Sequence, residues 1–171
     1  MFYQNIATIG DLNPVFYKHD SIPFLMEGVV ENESPFLLKL KNGDEDLYTI
    51  SVVDSSQLPK RSVSITDNTK KAIKLDATLS LNPDVPTDFM VAGKNWNGKL
   101  VLVSKIPVWK IDVVKTENSQ ETTVGYAEWR NMRDEKLEIK DPKEDCAFIA
   151  SLIIGLRRIQ TKLEKKSLYF K

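Results

Sequence analysis

The stretch from Asp141 to about Leu163 constrains this chain more than any other. Its central part, Cys146 to Leu156, is apolar on every face, with Ser151 as the single polar side chain. A helix that is apolar all round must be surrounded, by protein or by lipid. This run is 11 residues long, whereas a helix that crosses a bilayer needs about 20. We therefore expect a buried core helix rather than a membrane span.

The residues before this run indicate where the helix begins. Asp141 can act as the N-cap, and Pro142 suits the first helical position. Glu144 stands where the acidic member of a capping box reaches back to the backbone. The sequence therefore predicts a helix over about residues 142–163.

The chain before this segment has the pattern of short β-strands. About eleven of them can be placed, with turn signals every 8–12 residues, as in a sandwich or a barrel. Asn42-Gly43-Asp44 is the strongest hairpin signal, and Ala72 to Leu81 alternates with period two. A closed sheet gives an apolar helix apolar neighbours on every side and removes its own edges. We therefore expect one mainly β domain over residues 1–171, a closed antiparallel barrel that encloses the C-terminal helix.

Composition and charge argue against several classes of function. Lysine plus arginine equals aspartate plus glutamate at 24 each, which disfavours bulk attraction to nucleic acids. Cys146 is the only cysteine, so no internal disulfide can form, and a reducing, intracellular and cytoplasmic setting fits best. The first residues lack the pattern of a secretory signal peptide.

No set of residues typical of catalysis or of metal binding is present. His19 is the only histidine and is interpreted as a solvated loop residue. With one distant cysteine it cannot form a typical zinc site. Asp44-Glu45-Asp46 reads more simply as a hairpin tip than as a calcium loop. Phosphate-loop and nucleophile motifs are lacking, so the sequence predicts a protein that is not an enzyme and uses no cofactor.

The order of strands followed by an apolar helix resembles the tubby C-terminal-like superfamily, which includes tubby proteins, phospholipid scramblases and LURP-one-related proteins. The resemblance covers about two-thirds of the chain and is best in its last third. It is carried by Val63–Asp67 with Ala72–Lys74, by Phe89-Met-Val-Ala-Gly93, and by Trp109–Val113, Val124–Ala127 and Asp145–Leu156.

This resemblance implies a 12-stranded barrel around a central helix and a binding role. Tubby-like domains bind phosphoinositide head groups through a lysine and an arginine, and Lys60-Arg61 is the nearest equivalent here. Neighbouring residues of a strand point to opposite faces, so a joint site needs a turn or bulge. Two departures are Arg157, where many members have an aspartate, and the turn at 67–71, which lacks the usual glycine.

Two further features are candidates for ligand binding. Arg157 and Arg158 open a basic segment at the end of the helix, which either meets an anionic lipid or acidic partner or is simply solvated. Trp96 lies in a glycine-bounded loop, where it is either an exposed anchor for a membrane or partner or folds back over the end of the barrel.

Three functional hypotheses follow. The first is a non-catalytic adaptor that binds phosphoinositides or an anionic membrane surface, peripheral to the membrane and without a transmembrane span. The alternative is a protein-interaction domain or structural scaffold. The third is a scramblase-like activity, which the resemblance alone suggests. The sequence assigns no oligomeric state.

Overall fold

The computed structural model describes residues 2–4, 15–19, 22–30, 36–42, 44–53, 62–129 and 135–169. Within these ranges the chain forms twelve β-strands and one α-helix, α1, over Cys146–Tyr169. The strands are β1 (Phe2–Gln4), β2 (Val15–His19), β3 (Ile22–Val30), β4 (Phe36–Asn42), β5 (Glu45–Val53), β6 (Ser62–Asp67), β7 (Ala77–Leu81), β8 (Asp88–Gly93), β9 (Gly98–Ser104), β10 (Trp109–Glu117), β11 (Gln120–Trp129) and β12 (Glu135–Ile139).

These strands form one antiparallel sheet that is open, so the predicted closed barrel is wrong. The order is β1-β12-β11-β10-β9-β8-β7-β6-β5-β4-β3-β2. In the described part of the chain no hydrogen-bonded ladder joins β1 to β2, the strands at the two ends of this order. Their Cα atoms approach within 8 Å, so the sheet curls strongly without pairing its edges.

The prediction of closure failed because burying a helix requires side chains around it, not a closed ladder. Along β4 to β12 the inward-facing residues alternate with more exposed ones, as the period of a strand dictates. These inward side chains form one apolar core with Ala147–Ala150, Leu152–Ile154 and Leu156 of α1. A curled open sheet thus surrounds the apolar helix run that the sequence singled out.

The helix begins later than the sequence indicates. Asp145 is the N-cap, since its Oδ1 accepts the Phe148 N–H at 2.9 Å. Residues 141–144 instead form a turn, in which the Glu144 N–H donates to the Asp141 carbonyl at 3.1 Å. Aspartate followed by proline suits the first two positions of such a turn as well as it suits a helix start, which explains the difference.

The strand predicted from Ala72 is also shorter, because β7 begins at Ala77. Asp67, at the end of β6, organises residues 68–76 as a loop. Its Oδ1 accepts the Thr69 N–H at 2.8 Å and its Oδ2 accepts the Leu75 N–H at 2.9 Å. Backbone groups that bond this carboxylate are not available to a strand ladder.

The sheet has two ends. We call the end at which α1 begins the helix-start end, and the end towards which α1 runs the helix-exit end. At the helix-start end Tyr48 pairs with Asp67, and the Tyr48 ring lies 5.8 Å from that of Phe148. At the helix-exit end Val53 pairs with Ser62, and Trp109 pairs with Trp129. Hence the loop after β9 lies at the helix-exit end and the loop before β9 at the helix-start end.

Candidate functional site

A buried polar network lies at the helix-start end, where the helix meets the sheet. The Glu144 carboxylate precedes α1 and is 5% exposed. Its Oε2 accepts the Trp96 Nε1–H at 2.9 Å, and its Oε1 lies 2.9 Å from Lys115 Nζ. Lys115 also lies 2.9 Å from Glu117 Oε1. Residues from three separate segments are thereby held together.

A polar recess of about 180 Å³ opens beside this network. Its wall includes Lys115, Glu117, Asn118, Thr122, Asp141 and Glu144. The backbone of Asn118 and Ser119 has positive φ, at 50° and 62°, which forms the tight β10–β11 turn at its rim. Three carboxylates and one ammonium line the recess, so an anionic head group is not the ligand that it suits.

The lysine in this network is held in its charged form. Burial by itself would lower the pKa of Lys115, but hydrogen bonds and attraction from Glu117 and Glu144 outweigh it and raise the pKa above its ordinary value. Both oxygens of Glu144 have partners within the protein. The network therefore fixes the start of the helix, and its charged groups are engaged in structural contacts.

Trp96 is buried, so its interpretation as an exposed anchor is wrong. The side chain is 3% exposed, and its ring lies 5.4 Å from that of Phe148 at an angle of 64°. A Cβ atom at Gly98 would lie 2.9 Å from the Trp96 ring, so this glycine leaves space for the tryptophan. The asparagines on either side of Trp96 made the loop look solvated, although its indole belongs to the core.

The other predicted ligand-binding residues are not brought together. Arg157 is buried at 8% exposure and has an interaction partner, so it is not a free cation for a head group. Arg158 lies on α1, but its side chain is outside the described structure. Lys60 and Arg61 also lie outside the described residues. Val53 and Ser62, which flank their segment, pair at the helix-exit end.

The helix-exit end carries a feature that the sequence reasoning missed. In the loop between β9 and β10, Ile106 is 86% exposed and Pro107 is also exposed. Val103, near the end of β9, is 53% exposed. The signal was present in the sequence, because Ser104-Lys-Ile-Pro-Val108 joins two strands through apolar residues rather than through the usual polar ones.

The described residues contain neither a group of metal ligands nor a membrane-spanning helix. In that part of the chain no group of three or more histidine, cysteine, aspartate or glutamate side chains is placed to hold a metal ion. None of its helices is sufficiently long and apolar to pass through a membrane. Cys146 is a half-buried free thiol, with its Sγ 3.9 Å from the Glu144 carbonyl oxygen.

Comparison with known proteins gives no relative. No family model, no curated protein and no solved structure matches this chain. The similarity to the tubby-like superfamily therefore stays a prediction from the residues.

Proposed function

We propose that this chain is a non-catalytic adaptor that binds the surface of an anionic membrane through its helix-exit end. The observation that carries the proposal is that α1 continues well past Leu156, the last of its residues in the described apolar core. A Cβ atom at Gly155 would lie 2.8 Å from Val63 Cγ1, next to the first residue of β6. Leu156 and Arg157 are still buried, and the 12 residues from Arg158 to Tyr169, about 18 Å of helix, follow them.

This last part of the helix is basic. Residues 157–169 contain five lysines and arginines and one glutamate. Arg157 is buried, which leaves Arg158, Lys162, Lys165 and Lys166 on the remainder. A basic residue near an anionic leaflet contributes about 1 kcal/mol of binding free energy. Although the net charge of the chain is zero, such local concentration of charge suits a membrane surface.

The resemblance to tubby-like domains supports a narrower form of the proposal. In that form the lipid is a phosphoinositide, and Lys60 and Arg61 contribute to its binding. Tubby-like domains use a lysine and an arginine for this purpose, and a guanidinium beside an ammonium suits clustered phosphates.

Vesicle flotation tests the proposal. Vesicles of phosphatidylcholine alone, of phosphatidylcholine with 30% phosphatidylserine, and of phosphatidylcholine with 5% phosphatidylinositol bisphosphate are compared at physiological salt. We expect flotation with the two anionic compositions only. Lys162→Glu with Lys166→Glu should reduce it at least tenfold, since two favourable charges become repulsive.

The matched control carries the same charge change at the opposite end. Lys70 and Lys94 are exposed, and both lie in loops of the helix-start end. Lys70→Glu with Lys94→Glu should float as the unmodified protein does. Equal loss in the two double variants would contradict the assigned end. An absence of flotation with every composition would remove the proposal and leave a protein-interaction domain as the better hypothesis.

A further inference from the structure

The β9–β10 loop exposes apolar surface where a soluble loop ordinarily presents polar side chains. Ile106, at 86%, is the most exposed of the large hydrophobic side chains described. Pro107 is exposed beside it, and Val103 is 53% exposed at the end of β9. Isolated exposed apolar residues are ordinary, but these three lie within five consecutive positions of one loop and strand end.

The flanks of this apolar group have the chemistry of a membrane interface. The exposed Lys105 has its Nζ 5.5 Å from the centre of the half-buried Trp109 ring. Lysine side chains extend their charge towards head groups while their methylenes lie along apolar surface. Tryptophan is enriched at the level where hydrocarbon meets head groups. Lys105, Ile106 and Trp109 thus supply a cation, an exposed apolar side chain and an aromatic ring within five consecutive residues.

We infer that the β9–β10 loop inserts Ile106 and Pro107 into the head-group and acyl boundary of an anionic bilayer. This inference rests on the proposed function and deepens it by naming the element that enters the lipid. The loop lies at the helix-exit end, towards which α1 runs before its basic part begins. In this arrangement Lys105 and the helix lysines contact anionic head groups, and Ile106 reaches the apolar layer.

The experiment compares Ile106→Ser with Ile73→Ser on phosphatidylcholine vesicles that contain 30% phosphatidylserine. Ile73 is the matched control, because it is 65% exposed in a loop of the helix-start end. Transfer of an isoleucine side chain from water to an apolar layer strengthens the partitioning of a protein onto vesicles by about tenfold or more. We expect Ile106→Ser to weaken vesicle partitioning about tenfold and Ile73→Ser to leave it unchanged.

A second readout reports insertion directly. Ile106→Cys and Ile73→Cys, each in a Cys146→Ala background, are labelled with a fluorophore whose emission shifts to the blue in apolar surroundings. We expect a blue shift on anionic vesicles for the label at position 106 and none at position 73. The residual binding of Ile106→Ser should weaken strongly in high salt, since charge attraction then supplies most of it.

The outcomes separate this inference from the proposed function. If the unmodified protein binds anionic vesicles but Ile106→Ser binds equally well and no blue shift appears, the loop does not insert and the proposed function stands. If the unmodified protein binds no vesicle, the proposed function fails and the inference fails with it. If the unmodified protein is a dimer in solution and Ile106→Ser is a monomer, the loop is an interface between copies, which overturns insertion.

Discussion

The buried carboxylate of Glu144 holds together the segments that meet at the helix-start end. It bonds the Trp96 indole and the Lys115 ammonium at the same time. Glu144→Gln removes one of the two ion pairs described for Lys115 and leaves the one with the exposed Glu117. We expect the free energy of unfolding to fall by about 2 kcal/mol, because a partly buried cation loses its best-shielded partner.

Urea denaturation measures this loss, and Glu117→Gln is the control on the same lysine. The Glu117 side chain is 69% exposed, so its ion pair is screened by solvent and should contribute less than about 0.5 kcal/mol. Equal effects of the two variants would contradict the role assigned to the buried carboxylate.

Asp67 makes stability depend on acid. Burial by itself would raise its pKa, but hydrogen bonds from Thr69 and Leu75 and attraction by Lys71 outweigh it and lower the pKa below its ordinary value. The contribution of Asp67 is therefore present above the unfolded-state pKa of about 3.9 and is lost as the pH falls through the lower folded-state value.

Asp67→Asn tests this dependence. The variant should be less stable at pH 7, and its stability should fall less steeply than that of the unmodified protein between pH 5 and pH 3. Urea midpoints at each pH give both slopes. Parallel slopes would show that Asp67 is not a source of the acid sensitivity. Burial and Asp67 raise the pKa of Tyr48 above its ordinary value, which already lies well above this range, so Tyr48 adds nothing to the acid dependence.

At the level of elements, the start of α1 depends on Asp145 rather than on Asp141. Asp145 Oδ1 accepts the Phe148 N–H, and its Oδ2 forms an ion pair with Lys71. Asp145→Ala should lower the free energy of unfolding by about 1–2 kcal/mol, since it removes the cap and the ion pair. Asp145→Asn can still cap and should cost less.

Asp141→Ala is the matched control for this cap. Its carboxylate accepts only the Lys143 N–H among the hydrogen bonds described for it, and it lies outside the helix, so we expect a loss below about 0.5 kcal/mol. Thermal unfolding followed by circular dichroism ranks the three variants. A larger loss for Asp141→Ala than for Asp145→Ala would restore the helix start that the sequence indicated.

The packing of α1 on the sheet requires the absence of a side chain at Gly155. An alanine Cβ there would lie 2.8 Å from Val63 Cγ1, in a core with little free space. Gly155→Ala improves helix propensity by about 1 kcal/mol, whereas overpacking costs about 1–3 kcal/mol. We expect a net loss of stability. In a double-mutant cycle with Val63→Ala, the pair should lose less than the sum of the single variants, and strict additivity would contradict a contact between them.

The sequence shows local patterns that fit more than one structure. The contacts that decide which structure forms cannot be seen in it. The apolar run at 146–156 identified the buried helix segment because its composition alone demands surroundings. The helix start was missed because Asp-Pro suits both a cap and a turn, and only the bond from Phe148 to Asp145 decides. A strand was wrongly predicted at residues 72–76, because the alternation there does not show that Asp67 bonds the Leu75 N–H and holds this segment as a loop.

At the scale of the whole molecule, the alternation of apolar residues could not predict whether the sheet closes into a barrel. Alternation along each strand says which residues face the core, but whether β1 pairs with β2 depends on edges that are distant in sequence.

The exposed apolar loop between β9 and β10 was missed for a related reason. Tryptophan and paired basic residues drew attention, yet burial removes Trp96 and Arg157 from the surface, whereas the ordinary residues Val103 and Ile106 are exposed.

The one shared core predicts that the helix and the sheet unfold together. Leu152, Ile153 and Leu156 belong to the same apolar cluster as the inward residues of β4 to β12, so the apolar helix run has no separate core to stabilise it alone.

Ile153→Ala should lower stability by about 2–5 kcal/mol through the cavity that it leaves. The urea midpoints from circular dichroism at 222 nm, which follows α1, and from tryptophan fluorescence should fall by the same amount and coincide. Ile73→Ala, which changes an exposed isoleucine outside the core, should leave the free energy of unfolding from both probes within about 0.5 kcal/mol of that of the unmodified protein. Loss of the helix signal before the fluorescence change would contradict a single cooperative unit, because it would mean that the sheet keeps its packing without the segment that it surrounds.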